Sequence, residues 1–270
     1  MLTRVVPAVW AFSRPHTILG TAAAIPALGL YAGSAAVDAV PAALCANLYV
    51  TGLNQITDCA VDAVNKPDLP LPSEQLSLAE AKAVVVLAGI LSLVLSLHSR
   101  ALLATVVSSM TLGTLYSAEP FRWKRSATLS ALSIIAVRGI IVNVGFYSHA
   151  RCAFGVPLGP VVFFSAFASV IAMLKDVPDT KGDFMHALPS FALSYGRRAV
   201  LIASAGVMAT ALGVTAAILR SWVSVCALVM SVFVATRTVQ VARNATQTKT
   251  ADLYQTYWKC FYLCYVALPF

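Results

Sequence analysis

The amino-acid sequence predicts an all-α protein that crosses a membrane about nine times. Of its 270 residues, 59% are hydrophobic and only 11% are charged, and the mean hydropathy is +0.80. Soluble domains carry about 25% charged residues, so this chain has too little charge to cover a water-facing surface. Apolar stretches recur along the whole length, and about 20 apolar residues are enough to cross a bilayer. The composition therefore excludes a soluble protein.

Nine apolar stretches, separated by polar breaks, are the candidate membrane-spanning helices. They cover residues 16–37, 39–58, 79–98, 101–118, 128–147, 156–175, 198–219, 222–240 and 254–270. We find no internal repeat and no linker, so residues 1–270 are predicted to form a single membrane domain. The six cysteines contain no CxxC pair, which favours buried thiols over a metal site or a disulfide framework.

The distribution of charge supports nine spans. With that count, 15 of the 19 lysines and arginines fall on the side of the N-terminus, whereas Arg100, Arg151 and Arg220 fall on the other side. The positive-inside rule makes the N-terminal side the cytoplasm or its topological equivalent. Ten of the eleven acidic residues lie on that same side, and Asp38 lies opposite. Acids and bases are therefore crowded onto one face of the membrane, where we expect the chemistry.

The first acidic cluster closes the second predicted span. Asn54, Asp58 and Asp62 are four residues apart, a spacing that places them on one face of a helix. Two carboxylates and an amide oxygen suit a hard divalent cation such as Mg²⁺. Carboxylates this close repel each other, so something positive is expected between them.

The second acidic cluster follows the sixth span and contains Asp176, Asp179 and Asp183. Pro178 and Gly182 argue against a continuous helix through it. The topology places it on the same side as the first cluster, so both could face one cavity. Two such clusters, with several Mg²⁺ ions, would bind a diphosphate and neutralise it as a leaving group. Candidate cations for the remaining phosphate oxygens are Lys66, Arg122, Lys124, Arg125 and Lys181.

Each of these features also has a plainer interpretation. Acids beside a span can be solvated loop residues, although two clusters on one side, the first with an aligned Asn54, favour metal binding. The run from Arg122 to Arg125 suits an ordinary positive-inside anchor as well as it suits a phosphate site. Arg138 lies within the fifth span, where an unpaired charge is costly, so it should face the interior in an ion pair or against a substrate.

Several longer motifs occur in a fixed order along the chain. They begin with Phe12-Ser-Arg-Pro-His16 and Asn54-Gln-x-x-Asp58-x-x-x-Asp62-x-x-Asn65-Lys66-Pro67. They continue with Tyr116-Ser117, Pro120-Phe-Arg-Trp-Lys-Arg125, Val137-Arg-Gly139 with Asn143, Lys175-Asp-Val-Pro-Asp179-x-x-Gly-Asp183 and Tyr257-Trp-Lys-Cys-Phe-Tyr262. Together they resemble the UbiA-type intramembrane aromatic prenyltransferases, and within them the homogentisate phytyltransferases and other homogentisate prenyltransferases.

The resemblance implies nine transmembrane helices around a central cavity, with Mg²⁺ and a prenyl diphosphate held between two Asp motifs. The metal ligands it implies are Asn54, Asp58, Asp62, Asp179 and Asp183. Catalytic roles fall on Asp58, Asp62, Lys66, Tyr116, Asp179 and Asp183. Substrate contacts fall on Asn54, Asn65, Arg122, Lys124, Arg125, Arg138, Asn143, Asp176 and Lys181.

The reaction that the resemblance implies is transfer of a prenyl group, phytyl or similar, to homogentisate with loss of CO₂. It belongs to the synthesis of prenylquinones such as tocopherols or plastoquinone. The expected partners are the two small-molecule substrates and the lipid bilayer, with no nucleic acid. The resemblance also implies a plastid membrane, although a transit peptide would normally precede the first span and none is evident.

The sequence departs from the family pattern beside the second Asp motif. Basic residues and a Gly-Ile pair are usual there, whereas this chain has Phe184-Met-His186 and Ala187-Leu188. These changes remove possible diphosphate contacts. They raise the alternative of a non-catalytic homologue. Two further alternatives are another aromatic acceptor, such as 4-hydroxybenzoate, and a membrane ion or substrate transporter. Transporters favour charges near the midplane and inverted repeats, whereas the acids here lie at one membrane edge.

Overall fold

The structure is a computed structural model that describes residues 2–219 and 222–269. All regular secondary structure in these ranges is helical, and no strand occurs in them. The α-helices are α1 (Leu2–Phe12), α2 (Pro15–Ala32), α3 (Val40–Thr57), α4 (Cys59–Asn65), α5 (Leu78–Ser96), α6 (Arg100–Ser117), α7 (Ala127–Ile135), α8 (Val142–Ala150), α9 (Leu158–Leu174), α10 (Thr180–Met185), α11 (Phe191–Tyr195), α12 (Arg197–Leu219), α13 (Trp222–Arg243) and α14 (Gln247–Ala267). A π-helical segment, Ala136–Ile141, joins α7 to α8, and short 3₁₀ turns occur at Val37–Ala39 and Trp123–Arg125.

All nine predicted spans coincide with long helices in the described part of the chain. The fifth span is the combined helix Ala127–Ala150, and the others are α2, α3, α5, α6, α9, α12, α13 and α14. The short helices α1, α4, α10 and α11 lie outside the predicted spans. Arg220, predicted on the face opposite the N-terminus, and Phe270, the predicted end of the ninth span, lie outside the described residues.

Length and composition alone qualify three of the described helical stretches to cross a membrane. They are Leu78–Ser96, Ala127–Ala150 and Arg197–Val214. Helix α9 is also apolar but has only 17 residues. That all nine long helices span the bilayer therefore stays a prediction.

The helices group into two compact units. Unit 1 comprises Met1–Lys124 and Val144–Val156, and unit 2 comprises Arg125–Asn143 and Pro157–Phe270. In unit 1, α3 packs against α2, α5 and α6. Gly52 allows this close approach, since a Cβ atom there would lie 2.6 Å from Val85 Cγ2. The adjoining core, built around Phe12, Leu76 and Val85, fixes the end of α3 that leads to the first acidic motif.

In unit 2, α9 packs against α12, α14, α7 and the π-helical segment. An aromatic stripe on α14, four residues apart, faces α9 with Tyr257, Phe261 and Tyr265. The rings of Phe164 and Tyr265 stack with their centroids 3.7 Å apart. These contacts fix the rotation of α14 and thereby the positions of its remaining polar side chains.

Candidate active site

Asp58 lies at the junction between α3 and α4. Its backbone angles (φ −106°, ψ 6°) leave the helical region, so one continuous helix does not carry Asn54, Asp58 and Asp62 as predicted. The four-residue hydrogen-bond ladder nevertheless continues across the junction. The Asp58 amide donates to Asn54 O at 3.0 Å, and the Asp62 amide donates to Asp58 O at 2.8 Å. The helix is therefore interrupted at Asp58, but backbone hydrogen bonds still connect the three residues of the first motif.

Three side chains converge on the Asp58 carboxylate. Asn54 donates from Nδ2 to Oδ2 at 2.7 Å, and Lys124 donates from Nζ to Oδ1. Arg122 NH2 lies 3.6 Å from the same Oδ1. The side chains of Lys124 and Asp58 are only 7% and 13% exposed. Charges so shielded from water are stable only when opposite charges and hydrogen bonds offset their desolvation, and this cluster supplies both.

Arg122 and Lys124 both lie in the connection between α6 and α7. Arg122 also donates from NH2 to Thr57 O at 3.1 Å, which ties this connection to the end of α3. Its backbone adopts a positive φ of 33°, an uncommon conformation for a residue with a side chain. Arg125, the third cation of the run, is exposed and belongs to unit 2. Arg122 NH1 also lies 3.4 Å from Glu119 Oε1. A simple membrane anchor does not account for Arg122 and Lys124, because both also contact the Asp58 carboxylate.

Helix α4 carries the rest of the first motif. Asp62 and Asn65 are buried, with 6% and 9% exposure. Lys66 follows directly after α4, and its Nζ lies 3.8 Å from Asp62 Oδ1. Tyr116, in the last turn of α6, is half-buried. The first motif thus has two carboxylates, each with a lysine beside it.

The second motif lies in unit 2, between α9 and the end of α10. Pro178 separates the two helices, as predicted, but Gly182 lies inside α10 and does not interrupt it. Asp179 precedes the first residue of α10, and the Asp183 amide donates to Asp179 O at 3.1 Å. Asp183 is buried, with 7% exposure.

The two other predicted residues of this motif lie on either side of it. Asp176 accepts from Lys175 Nζ at 2.5 Å, and both side chains are largely buried. Lys181, by contrast, is exposed.

Arg197 is a cation of this region that the sequence analysis did not select. Its Nε donates to Thr180 Oγ1 at 3.0 Å, its NH2 contacts the same oxygen, and its NH1 donates to Ala245 O at 3.1 Å. Thr180 directly follows Asp179, so this arginine brings positive charge to the start of α10. Its contacts span 17 and 48 residues of sequence, and no local spacing could have indicated them.

Arg138 meets an aromatic ring of α14. Its Cζ lies 4.8 Å from the ring centroid of Trp258, a cation–π contact. The sequence analysis had left an ion pair and a substrate contact open for this residue. The π face of Trp258 supplies part of the electrostatic compensation that a cation within a span requires.

Asn143 is fully buried beside the π-helical segment. Its Nδ2 donates to the carbonyl oxygens of Arg138 and Gly139, at 3.0 and 2.9 Å. Its Oδ1 accepts from Tyr265 Oη at 3.0 Å. These contacts hold the π segment, and they support a role in positioning Arg138. A direct substrate contact by Asn143 stays a prediction.

The model of the UbiA prenyltransferase family matches residues 11–263. The chain belongs to this family. Relatives of this UbiA chain include the homogentisate phytyltransferase 1, chloroplastic, of Arabidopsis thaliana, 36% identical over 97% of this chain and 75% of that protein. The homogentisate phytyltransferase of Synechocystis is 33% identical over 98% of this chain and 95% of that protein.

A solved structure with a similar fold is the UbiA homolog from Archaeoglobus fulgidus bound to GPP and Mg²⁺. Its TM-score is 0.66 at 13% identity, and the match covers 96% of this chain and 99% of that one. The predicted fold class is thereby confirmed: this UbiA chain is an all-α membrane protein with the architecture of membrane prenyltransferases. The motifs at Asp58 and Asp179 fall within the matched residues.

Proposed function

We propose that this protein transfers a prenyl group, phytyl by preference, from a prenyl diphosphate to homogentisate with loss of CO₂. The observation that carries the proposal is the cluster in which Asn54, Arg122 and Lys124 converge on Asp58. Two relatives named homogentisate phytyltransferases support the choice of substrates, because each aligns with nearly the whole chain. The phytyl donor rests on those names alone.

The acidic motifs fit a divalent cation. Both motifs present carboxylate oxygens, and the first adds the Asn54 side chain, which are the ligands that Mg²⁺ prefers. Asp62 and Asp183 are buried, and a bound cation would add to the positive charge near them. A UbiA homolog of the same fold is described as bound to GPP and Mg²⁺. We therefore propose that Asn54, Asp58 and Asp62 of unit 1 hold Mg²⁺, and that Asp179 and Asp183 of unit 2 do so as well; Mg²⁺ would neutralise charge on the leaving diphosphate.

Lys124 and Arg122 have a defined part in this chemistry. Their donors already lie at the first motif, so no rearrangement of the connection between α6 and α7 is needed to present positive charge there. When the C–O bond of the donor breaks, its electron pair stays on the diphosphate, and fixed cations stabilise that charge. Lys66, beside Asp62 in unit 1, and Arg197, beside Thr180 in unit 2, are further candidates for contact with phosphate oxygens.

The resulting allylic carbon bonds to a ring carbon of homogentisate. The ring then loses the proton of that carbon, the carboxylate leaves as CO₂, and its methylene carbon takes up a proton to become a methyl group. Arg138 suits the acceptor carboxylate, because its guanidinium lies against the uncharged ring face of Trp258 and presents a planar fork of donors that matches a carboxylate. Tyr116 is a second candidate for contact with the acceptor.

The test is an assay in membranes with Mg²⁺, radiolabelled acceptors and prenyl diphosphates from geranyl to solanesyl. We expect a prenylated quinol from homogentisate, the fastest rate with phytyl diphosphate, and no product after EDTA treatment. Product from 4-hydroxybenzoate but not from homogentisate would change the proposed acceptor and still support prenyl transfer. Folded protein that forms no product with any pair would contradict the proposal and favour a non-catalytic homologue.

We also propose a plastid membrane as the location, since the Arabidopsis relative is named chloroplastic. Fractionation of the source cells, with an antibody against the chain, tests this. Recovery with plastid membranes supports the proposal, and recovery with another membrane contradicts it.

A further inference from the structure

A second polar cluster lies at the end of unit 1 that is remote from Asp58. Asp38 precedes α3, whereas Asp58 follows it, and a helix of 18 residues is about 27 Å long. Asp38 is joined there by His98, which follows α5, and by His149, in the last turn of α8. Both histidines direct Nε2 toward the same oxygen, Asp38 Oδ2, at 3.1 Å. This cluster therefore belongs to the membrane face opposite the proposed prenyl-transfer site.

We propose that Asp38, His98 and His149 form a binding site for one transition-metal ion of the Zn²⁺ type. One ligand atom from each residue lies within 4.8 Å of the others. Zinc binds histidine nitrogen and carboxylate oxygen at about 2.0–2.2 Å, so neighbouring ligand atoms of a tetrahedral site lie about 3.3 Å apart. The two separations of 3.1 Å, from Asp38 Oδ2 to Nε2 of each histidine, are close to that edge.

The surroundings of His149 support the proposal independently. Its side chain is only 8% exposed, and its Nδ1 lies 2.9 Å from Ser99 Oγ. Ser99 is held in turn, because its hydroxyl oxygen caps α6 by accepting from the Leu102 amide at 3.3 Å. Histidines that bind metals generally donate their second ring nitrogen to such an oxygen, which fixes the ring and its tautomer. With that proton on Nδ1, the Nε2 lone pair faces the Asp38 carboxylate, and a cation between them satisfies both.

The chemistry of the ligands selects the metal. Two imidazoles and one carboxylate favour Zn²⁺ and similar ions over Mg²⁺, which prefers oxygen alone. Asp38 and His98 are 56% and 48% exposed, so an ion can reach the site and water can occupy a fourth position.

A bound ion would join three connections of unit 1. Asp38 lies between α2 and α3, His98 between α5 and α6, and His149 at the end of α8. Because one ion would bridge all three, we expect it to stabilise this end of unit 1 without taking part in prenyl transfer.

The direct test measures zinc bound to the purified full-length protein in detergent. Excess Mg²⁺ is kept present to occupy the acidic motifs, and bound zinc is quantified by mass spectrometry after desalting. We expect one equivalent per chain. His98→Gln should weaken zinc binding at least about 100-fold, the upper end of what loss of an outer partner costs. His186→Gln, which changes another exposed histidine, should bind as the wild type does.

Two results would overturn the proposal. One is a wild-type protein that retains no more zinc than the Asp38→Asn, His98→Gln, His149→Gln triple variant. The other is a His98→Gln variant with undiminished affinity. Should a variant fail to fold, X-ray absorption of zinc-loaded wild type decides. Two imidazole nitrogens in the first shell support the site, and a shell of oxygen alone contradicts it.

Discussion

Several buried charges of the described residues are compensated by side chains from distant parts of the chain. The spacing of Asn54, Asp58 and Asp62 is visible in the sequence, and so is that of Asp179 and Asp183. The pairing of Lys124 with Asp58 is not, because 66 residues separate them. The same holds for Arg138 and Trp258, which meet only because α14 packs along α9.

Replacement of Lys124 tests whether the Asp58 cluster takes part in catalysis as well as stabilising the fold. Lys124→Met removes the lysine from Asp58 while Arg122 and Asn54 remain. We expect prenyl transfer to fall about 100-fold, since a fixed cation at the leaving group is lost. We also expect the free energy of unfolding to fall by about 3 kcal/mol, because Asp58 stays buried.

Lys82→Met is the matched control, because Lys82 is an exposed lysine on α5 of the same unit. Its rate and thermal stability should equal those of the wild type. Full activity in Lys124→Met would exclude a catalytic part for this lysine.

Trp258 offers a test of how Arg138 is held. Trp258→Leu removes the ring that faces the guanidinium, a contact worth up to about 2 kcal/mol when it is shielded from water. We expect KM for homogentisate to rise about tenfold, while KM for the prenyl diphosphate changes little. Trp10→Leu, at a half-exposed tryptophan of α1, should leave both constants unchanged. A rise confined to the diphosphate KM would place Arg138 at the donor instead.

The sequence predicts the nine long apolar helices, but it does not predict the short helices or the π-helical segment. Each predicted span overlaps a long helix because about 20 apolar residues have no other way to satisfy their backbone in a membrane. Helices α4 and α10 are too short for periodicity to reveal, with 7 and 6 residues. The π segment also escapes prediction, since Asn143 and its contacts stabilise it from the side.

Gly139 marks a close approach between the π-helical segment and α9. A Cβ atom there would lie 2.6 Å from Ser165 Cα on α9, so Gly139→Ala forces the helices apart. We expect the free energy of unfolding to fall by about 1–3 kcal/mol, measured by thermal unfolding in detergent. The acceptor KM should rise as well, because Arg138 is the neighbouring residue.

Gly206→Ala is the matched control in the same unit. A Cβ atom added at Gly206 on α12 would meet no described atom within 4 Å outside its own stretch of helix, and alanine favours a helix over glycine by up to about 1 kcal/mol. This variant should therefore be at least as stable as the wild type. Equal stability of both variants would show that the contact at Gly139 is looser than described.

For the whole molecule, the charge asymmetry of the loops predicts which connections share a membrane face. Unit 1 agrees with that prediction, since Asp58 meets the connection between α6 and α7, and Asp38 meets those after α5 and α8. The sequence could predict which connections share a face because hydropathy defines whole spans and the positive-inside rule applies to whole loops. Neither could predict which side chains meet within one face.

Labelling of single cysteines tests this topology. In a chain whose other cysteines are replaced, Cys152, exposed after α8, should react with an impermeant maleimide from the face opposite the N-terminus. Ser73→Cys, exposed between α4 and α5, should react only from the N-terminal face. Labelling of both from one side would contradict an odd number of spans between them.

The central claim is that Asp58 organises a metal-dependent prenyl transfer to homogentisate. The most direct test is the rate of quinol formation from labelled homogentisate and phytyl diphosphate by purified wild-type, Asp58→Asn and Asp252→Asn proteins. Asp252 is a matched acid, 69% exposed and 3.4 Å from Arg237. We expect Asp252→Asn to equal the wild type, Asp58→Asn to be at least about 100-fold slower, and EDTA to abolish every rate. An Asp58→Asn protein with the wild-type rate, or a wild-type rate indifferent to EDTA, would contradict it.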